Sequence, residues 1–259
     1  MSNTDNQFNQ ERELRLEAFA GNQEFHDLSL EWVRQSMLNK YVYNFDWLGR
    51  PIIQFPQDIV GVQELVWNIR PDLIIETGIA HGGSLILSAS MLALLDVCDA
   101  IESDTLVDIR KSKRKVLGID IDIRKANREA IENHPLSSRI SMIEGSSIDP
   151  EIVSQVNSEA IGYNKILVLL DSNHTYQHVL AELQAYAPLV SKGSYCVVFD
   201  TFVEDVPKET FSDRPWGPGN NPKKAVHEFI RTHTDFVIDS ALENKLMITV
   251  APSGFLRRV

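Results

Sequence analysis

Between Asp72 and Leu95 the chain reads DLIIETGIAHGGSLILSASMLALL. The apolar run Leu73-Ile74-Ile75 reads as a buried strand, with Glu76 at its end. Gly78, Gly82 and Gly83 follow within a few residues, and Ser84 opens an apolar, Ala/Leu-rich helix. Strand, glycine turn and helix form the first half of a βαβ unit. This predicts an α/β fold with a doubly wound, mostly parallel, Rossmann-like sheet. The glycines allow a sharp turn and a close approach of backbone to ligand. The helix start at Ser84 offers unpaired N–H groups to a polar or anionic group.

The spacing excludes two common nucleotide sites. Gly78 and Gly83 have the separation of a P-loop, but Ser84 stands where the lysine belongs. The dinucleotide fingerprint G-x-G-x-x-G fails because Ala80 replaces its second glycine. What remains, E-x-G-x-x-x-G-x-S from Glu76 to Ser84, resembles the first motif of S-adenosylmethionine (SAM) methyltransferases, especially the catechol O-methyltransferase type. An α/β turn that binds nothing is the plain alternative.

The chain has 259 residues, of which 43% are hydrophobic, enough for one large α/β domain or a core with an appendage. A net charge of −11 without a basic stripe argues against nucleic acid. The basic run Arg110 to Lys115 reads as a solvated loop. No unbroken apolar run has the length of a membrane span, and the polar N-terminus has no signal-peptide core. Two cysteines, Cys98 and Cys196, imply no disulfide framework, so a cytoplasmic protein is expected.

Residues 1–45 read as a helical extension, with helices over 11–20 and 28–38, ahead of a main domain at 46–259. Such an extension packs on the core, covers a site or joins a neighbouring subunit, and a homo-oligomer is expected. Tyr41, Tyr43, Phe45 and Trp47 alternate as in an extended segment before a turn at Gly49-Arg50-Pro51. They read as packing aromatics rather than a lid. A helix over 56–69 ends at Pro71. After the helix at 84–95, residues 96–115 read as a surface loop.

Further strands are expected at 116–121, 140–143, 165–170 and 195–199, with helices between them. Two late segments, 236–238 and 246–250, read as a closing antiparallel pair. Asp120, at the end of the second strand, suits a ribose hydroxyl, and Asp122 suits a helix cap. Asp149-Pro150 reads as a helix start. Ser147, after the third strand, could reach a base nitrogen. The loop 201–221, rich in Pro and Gly, points to substrate binding.

The fourth and fifth strands end in Asp171 and Asp200, two carboxylates at the ligand-binding edge of one sheet. Brought together they repel unless a cation sits between them, and Mg²⁺ suits such hard oxygens. His174, expected in the first turn of the next helix, can accept a proton at neutral pH. Metal, base and methyl donor together would suffice for O-methyl transfer. Carboxylates at strand ends also cap helices, and a histidine in a first turn is often only solvated. His81 and His178 are rival bases.

ETGIAHGGSLILSASML, LLDSNHTYQHVLAELQAYAPLVSKGSY and the closing GFLRR resemble the cephalosporin hydroxylase family. That family is similar to Mg²⁺- and SAM-dependent O-methyltransferases, including rhamnosyl and macrolide-sugar methyltransferases. The resemblance spans about residues 45–259. It implies SAM contacts from the stretch Glu76, Gly78, Ala80, Gly82 and Ser84 and from Asp120, Ser147 and Asp171. It implies metal ligation by Asp171 and Asp200, a base at His174, and a small-molecule or saccharide acceptor. The chain departs from the family where Glu-Asp ends the fifth strand: here the pair is Phe199-Asp200. Thr201, where catechol-type relatives carry Asn, offers an oxygen instead. Two other readings were weighed. An iron-dependent oxygenase needs two histidines and a carboxylate, for which His233-Thr234-Asp235 is the one H-x-[DE] match. A SAM-binding partner protein without activity is the other.

Overall fold

The structure is a computed structural model that describes residues 3–108 and 110–259. The extension folds as α1 (Asn3–Ala20) and α2 (Gln23–Leu38), both longer than expected. Asn22 caps α2 by accepting from the Phe25 N–H. The aromatic stretch is not extended throughout: 41–44 form a 3₁₀ turn, and only then comes β1 (Phe45–Trp47). It pairs with β2 (Arg50–Ile52) across the two-residue turn Leu48-Gly49, both with positive φ, as a tight hairpin requires. Tyr41 packs on Trp32, Phe45 and Phe55, and Val33 and Val42 join the main core, so the extension is seated on the sheet.

The α/β body follows as α3 (Pro56–Ile69), β3 (Leu73–Thr77), α4 (Gly83–Glu102), β4 (Lys115–Asp120) and α5 (Lys125–Glu132). It continues with β5 (Ile140–Glu144), α6 (Pro150–Glu159), β6 (Ile166–Leu170), α7 (Tyr176–Tyr186) and β7 (Tyr195–Val198). Last come α8 (Pro222–Thr232), β8 (Phe236–Ile238), α9 (Ser240–Leu246) and β9 (Phe255–Arg258). The sheet order is β5-β4-β3-β6-β7-β9-β8. The first five strands are parallel, and β9 lies antiparallel between β7 and β8. β3 and β6 are buried at every position, as central parallel strands covered on both faces must be. The doubly wound sheet expected from the sequence is present. The chain runs outward from β3 through β4 to β5, then returns to β6 on β3's other side. That reversal opens a cleft at the strands' carboxyl ends.

Two further expectations fail. The presumed surface loop at 96–115 begins as two further turns of α4. Asp96 and Asp99, three residues apart on one helix face, meet Arg114, Arg139 and Arg70, so charge that reads as solvated is spent on ion pairs. The closing strand is not 246–250. Asp239 caps α9 by accepting from the Leu242 N–H; Leu246 ends that helix, and Met247 to Val250 follow as a loop in which Thr249 and Val250 are buried. The Asp58 carboxylate holds that loop through Thr249 Oγ1 and the Val250 N–H. The strand paired with β8 is Phe255–Arg258. Among the described residues α4 alone is long and apolar enough to cross a membrane, and half of it is buried within the protein.

The hairpin sits directly on the start of α4. A Cβ on Gly83 would collide with the Pro51 carbonyl and the Ile52 backbone. Gly83→Ala should therefore cost about 3 kcal/mol by overpacking. Urea unfolding checks this, and a wild-type midpoint would show that the hairpin is not seated there.

Candidate active site

The glycine turn after β3 is built from strained and shared backbone. Gly78 and Gly82 have φ of 90° and 84°, and Ala80, at 45°, has a conformation that costs a non-glycine residue energy. Side chains from three directions hold it. Asp120 Oδ2 accepts from the N–H groups of Ile79 at 2.7 Å and Ala80 at 3.2 Å. Asn127 Nδ2 donates to the Ala80 carbonyl, and Arg50 donates through Nε and Nη2 to the His81 carbonyl. Ser84 Oγ donates to Glu76 Oε1. Glu76 is buried and its Oε2 has no partner in the protein, which costs about 1–3 kcal/mol unless a ligand donates to it. Burial pushes the Glu76 carboxyl up to about 7, opposed by the Ser84 hydrogen bond.

The second half of the site comes from β6 and β7. A Cβ on Gly78 would collide with the Asp171 carbonyl, so the absent side chain lets the two strand ends touch. Asp171, His174 and Asp200 offer ligand atoms that all lie within 4.8 Å of one another. His174 Nε2 lies 3.0 Å from Asp200 Oδ2. His174 precedes α7 rather than lying in its first turn; the side chain of Asn173 shapes this loop by accepting from the Thr175 N–H and Oγ1. The Trp216 ring meets the imidazole edge-on at 4.8 Å between centroids. Asp200 adopts a left-handed conformation, φ 56°, at the sharp turn out of β7. Burial, and then the Asp200 carboxylate, hold the Asp171 carboxyl well above the usual carboxylate range; Glu76, Glu182 and Asp58 add to the rise. Two hard carboxylates with an imidazole beside them fit a divalent ion that keeps water or substrate oxygens for its remaining positions.

These parts face one cavity of about 770 Å³. Of the residues singled out from sequence, Gly78, Ala80, Ser84, Asp120, Asp171, His174 and Asp200 line it. Glu76 and Gly82 are not among the lining residues. Ser147 is turned inward: its hydroxyl donates to Glu182 Oε1 at 2.6 Å and lies 3.0 Å from His178 Nε2. The base-nitrogen contact is therefore not offered by that hydroxyl, and His178, tied into the same network with Ser172, is no rival base. His81 lines the cavity from within the turn. Thr201 is fully buried and its hydroxyl donates to the Pro252 carbonyl at 2.6 Å, so it supplies no metal ligand. Phe199 is packed in the core. Asp122 caps nothing, since Arg124 precedes α5 and uses no side-chain bond, whereas Asp149 caps α6 as expected. His233 stacks on Phe229 and Asp235 pairs with Arg258, so the H-x-D match forms no iron site.

Sequence reasoning missed Arg50 and Asn127, which pin the turn, because neither belongs to a motif. It also did not single out Trp216, although the loop carrying it was read as substrate-binding. That loop gives Phe202, Phe211, Arg214 and Trp216 to the cavity. From the extension come Met37, Lys40, Val42 and Tyr43.

The family description "Rhamnosyl O-methyltransferase/CmcI" matches residues 39–259. The chain belongs to this family. A rhamnosyl O-methyltransferase of Mycobacterium bovis (strain BCG / Pasteur 1173P2) is 32% identical over 203 residues, 78% of this chain and 73% of that protein. The one from Mycobacterium leprae (strain TN) is 29% identical over 216 residues, 82% of each. Among solved structures, CmcI in its Mg–SAM form superposes with a TM-score of 0.53 at 18% identity, over 84% of this chain and 77% of that one. CalS11, a TDP-rhamnose 3′-O-methyltransferase, gives 0.52 at 16% identity, over 90% and 93%. At these identities the two structures speak for the fold, and they agree with the observed sheet. With the family, the O-methyltransferase expectation stands.

The raised Asp171 carboxyl sets a pH dependence. A cation binds the ionised form, and burial favours the neutral form, so affinity climbs as pH rises. Mg²⁺ should raise the melting temperature more at pH 8 than at pH 5.5, and Asp171→Asn should abolish the shift. A stabilisation equal at both pH values, or one surviving the substitution, would remove Asp171 from the ligand set.

Proposed function

We propose that the protein transfers the methyl group of SAM to a hydroxyl of a sugar or glycosylated small molecule. The observation that carries this is the convergence of the His174 imidazole with the Asp171 and Asp200 carboxylates beside a glycine turn, in one cavity. The mycobacterial relatives, named rhamnosyl O-methyltransferases, support a sugar acceptor. The CmcI structure with Mg and SAM supports the donor and the ion.

Asp171 and Asp200 would hold Mg²⁺, which when bound supplies positive charge that makes an acceptor hydroxyl more acidic. The remaining chemistry is the chain's own. The glycine turn leaves backbone N–H groups at the start of α4 open to the donor, and Asp120 faces the cavity with acceptor capacity only partly used on the turn. Glu76 Oε2 is a spare buried acceptor. His174 takes the proton of the acceptor hydroxyl, with Asp200 steadying the imidazolium that results. The oxygen's electron pair then forms the bond to the methyl carbon. The carbon–sulfur bond breaks towards sulfur, and the sulfonium becomes a neutral sulfide. Trp216, edge-on against the imidazole, restricts water there.

His174→Ala should lower kcat by about 10²–10⁴-fold, the range lost with a general base, while binding of S-adenosylhomocysteine by calorimetry stays within two-fold. Equal loss of both would contradict the assigned role. Tight SAM binding by the unmodified protein, without transfer to a panel of rhamnosides and other deoxysugars, would favour the non-catalytic partner reading.

A further inference from the structure

One residue that lines the cavity carries a buried polar atom that nothing among the described residues satisfies. Six buried side-chain oxygens lack a hydrogen-bond partner among the described residues, in Gln54, Gln57, Glu76, Thr77, Ser88 and Ser194. Of these residues only Gln54 lines the cavity. Gln54 is 4% exposed, and its Oε1 has no hydrogen-bond partner among the described residues. A buried amide is normally hydrogen-bonded, because removal from water is costly without compensation. An unpaired amide oxygen on a residue that lines a ligand cavity leaves a hydrogen bond for the ligand to supply.

The position of Gln54 selects which ligand. It lies two residues beyond β2, directly before Phe55 and the start of α3. The same segment carries Asp58, whose carboxylate holds the Thr249 hydroxyl and the Val250 N–H. Val250 itself lines the cavity, and the Asp200 charge adds to the rise of the Asp58 carboxyl. Gln54 therefore shares a segment with Asp58, which fastens the part of the cavity wall that Val250 supplies. Asp120 and Ala80 belong instead to the turn that receives the donor. A carboxamide offers two donors and an acceptor without charge. That chemistry matches a vicinal pair of sugar hydroxyls, each both donor and acceptor.

We propose that Gln54 is a specificity-determining residue that hydrogen-bonds a hydroxyl of the acceptor sugar, next to the one that is methylated. This rests on the sugar-methylation reading and adds the residue that reads the sugar. A site built to bond a hydroxyl discriminates strongly against ligands lacking it, because its own polar group is then left unpaired. Near-isosteric Gln54→Leu removes the bonding capacity with little change in volume, and Gln54→Glu keeps an acceptor but loses the donors.

The test uses the full chain with SAM, Mg²⁺ and p-nitrophenyl α-L-rhamnoside as acceptor probe, alongside mono-deoxy versions of that rhamnoside. Gln54→Leu should raise the acceptor KM about ten-fold or more. Binding of S-adenosylhomocysteine by calorimetry should stay within two-fold, which also shows that the variant is folded. One deoxy rhamnoside should lose efficiency with the unmodified protein and lose no more with Gln54→Leu. Gln54→Glu should fall between the two. A loss of S-adenosylhomocysteine affinity with an unchanged acceptor KM would assign Gln54 to the donor and overturn the proposal. Unchanged values throughout would overturn it as well. No methyl transfer to any rhamnoside by the unmodified protein would overturn the sugar-methylation reading, and this inference with it.

Discussion

The site depends on one place where a side chain is absent. Gly78 has no Cβ, so the turn after β3 rests against the Asp171 carbonyl at the end of β6. Two hydrogen bonds lock the junction: Gly78 N–H donates to the Ile119 carbonyl of β4, and Asp171 N–H to the Thr77 carbonyl of β3. Three neighbouring strands are thereby joined at their carboxyl ends. A turn fit for a donor and a carboxylate fit for a metal become immediate neighbours instead of separate features of one edge. Any side chain at 78 would have to push them apart, against a conformation only glycine adopts freely.

That closeness concentrates charge of one sign. Asp171 and Asp200 converge where Glu76, Glu182 and Asp58 also act on Asp171. Burial and the neighbouring carboxylates favour the protonated form of Asp171, so a cation and an ionised Asp171 stabilise each other. The hydrogen-bonding of the neighbours keeps the cluster workable. Ser84 answers one oxygen of Glu76, Thr249 and Val250 answer Asp58, and Ser147 and Ser172 answer Glu182. His174 answers Asp200. The protein spends several hydroxyls on neutralising carboxylates, which is why Ser147 has none left to offer a ligand.

Much of this was legible before any coordinates. Apolar runs ending in acids located β3, β4, β6 and β7, because a parallel strand buried on both faces has no alternative composition. Glycines at 78, 82 and 83 identified the turn. The misreadings share a cause. Asp96 and Asp99 looked solvated, since a charge pattern does not reveal that Arg70, Arg114 and Arg139 will arrive from other elements. Leu246 to Val250 reads as a strand because it is an apolar run, yet Leu246 ends α9 and the buried Thr249 and Val250 lie in a loop fastened to Asp58. Thr201 reads as a ligand only from the resemblance, where catechol-type relatives carry Asn, yet its hydroxyl donates to the Pro252 carbonyl.

By itself the chain's order of residues determined the α/β class, the identity of the central strands and the carboxylates at their ends, because these follow from local periodicity and from which residue types tolerate a turn. Tertiary structure alone decided which polar groups are free. Whether an oxygen is satisfied depends on partners tens of residues away, as with Ser147 and Glu182, Arg50 and His81, or Asp58 and Val250. The unpaired amide oxygen of Gln54 and the distance from His174 to Asp200 are therefore properties of the folded chain, invisible in any window of its sequence.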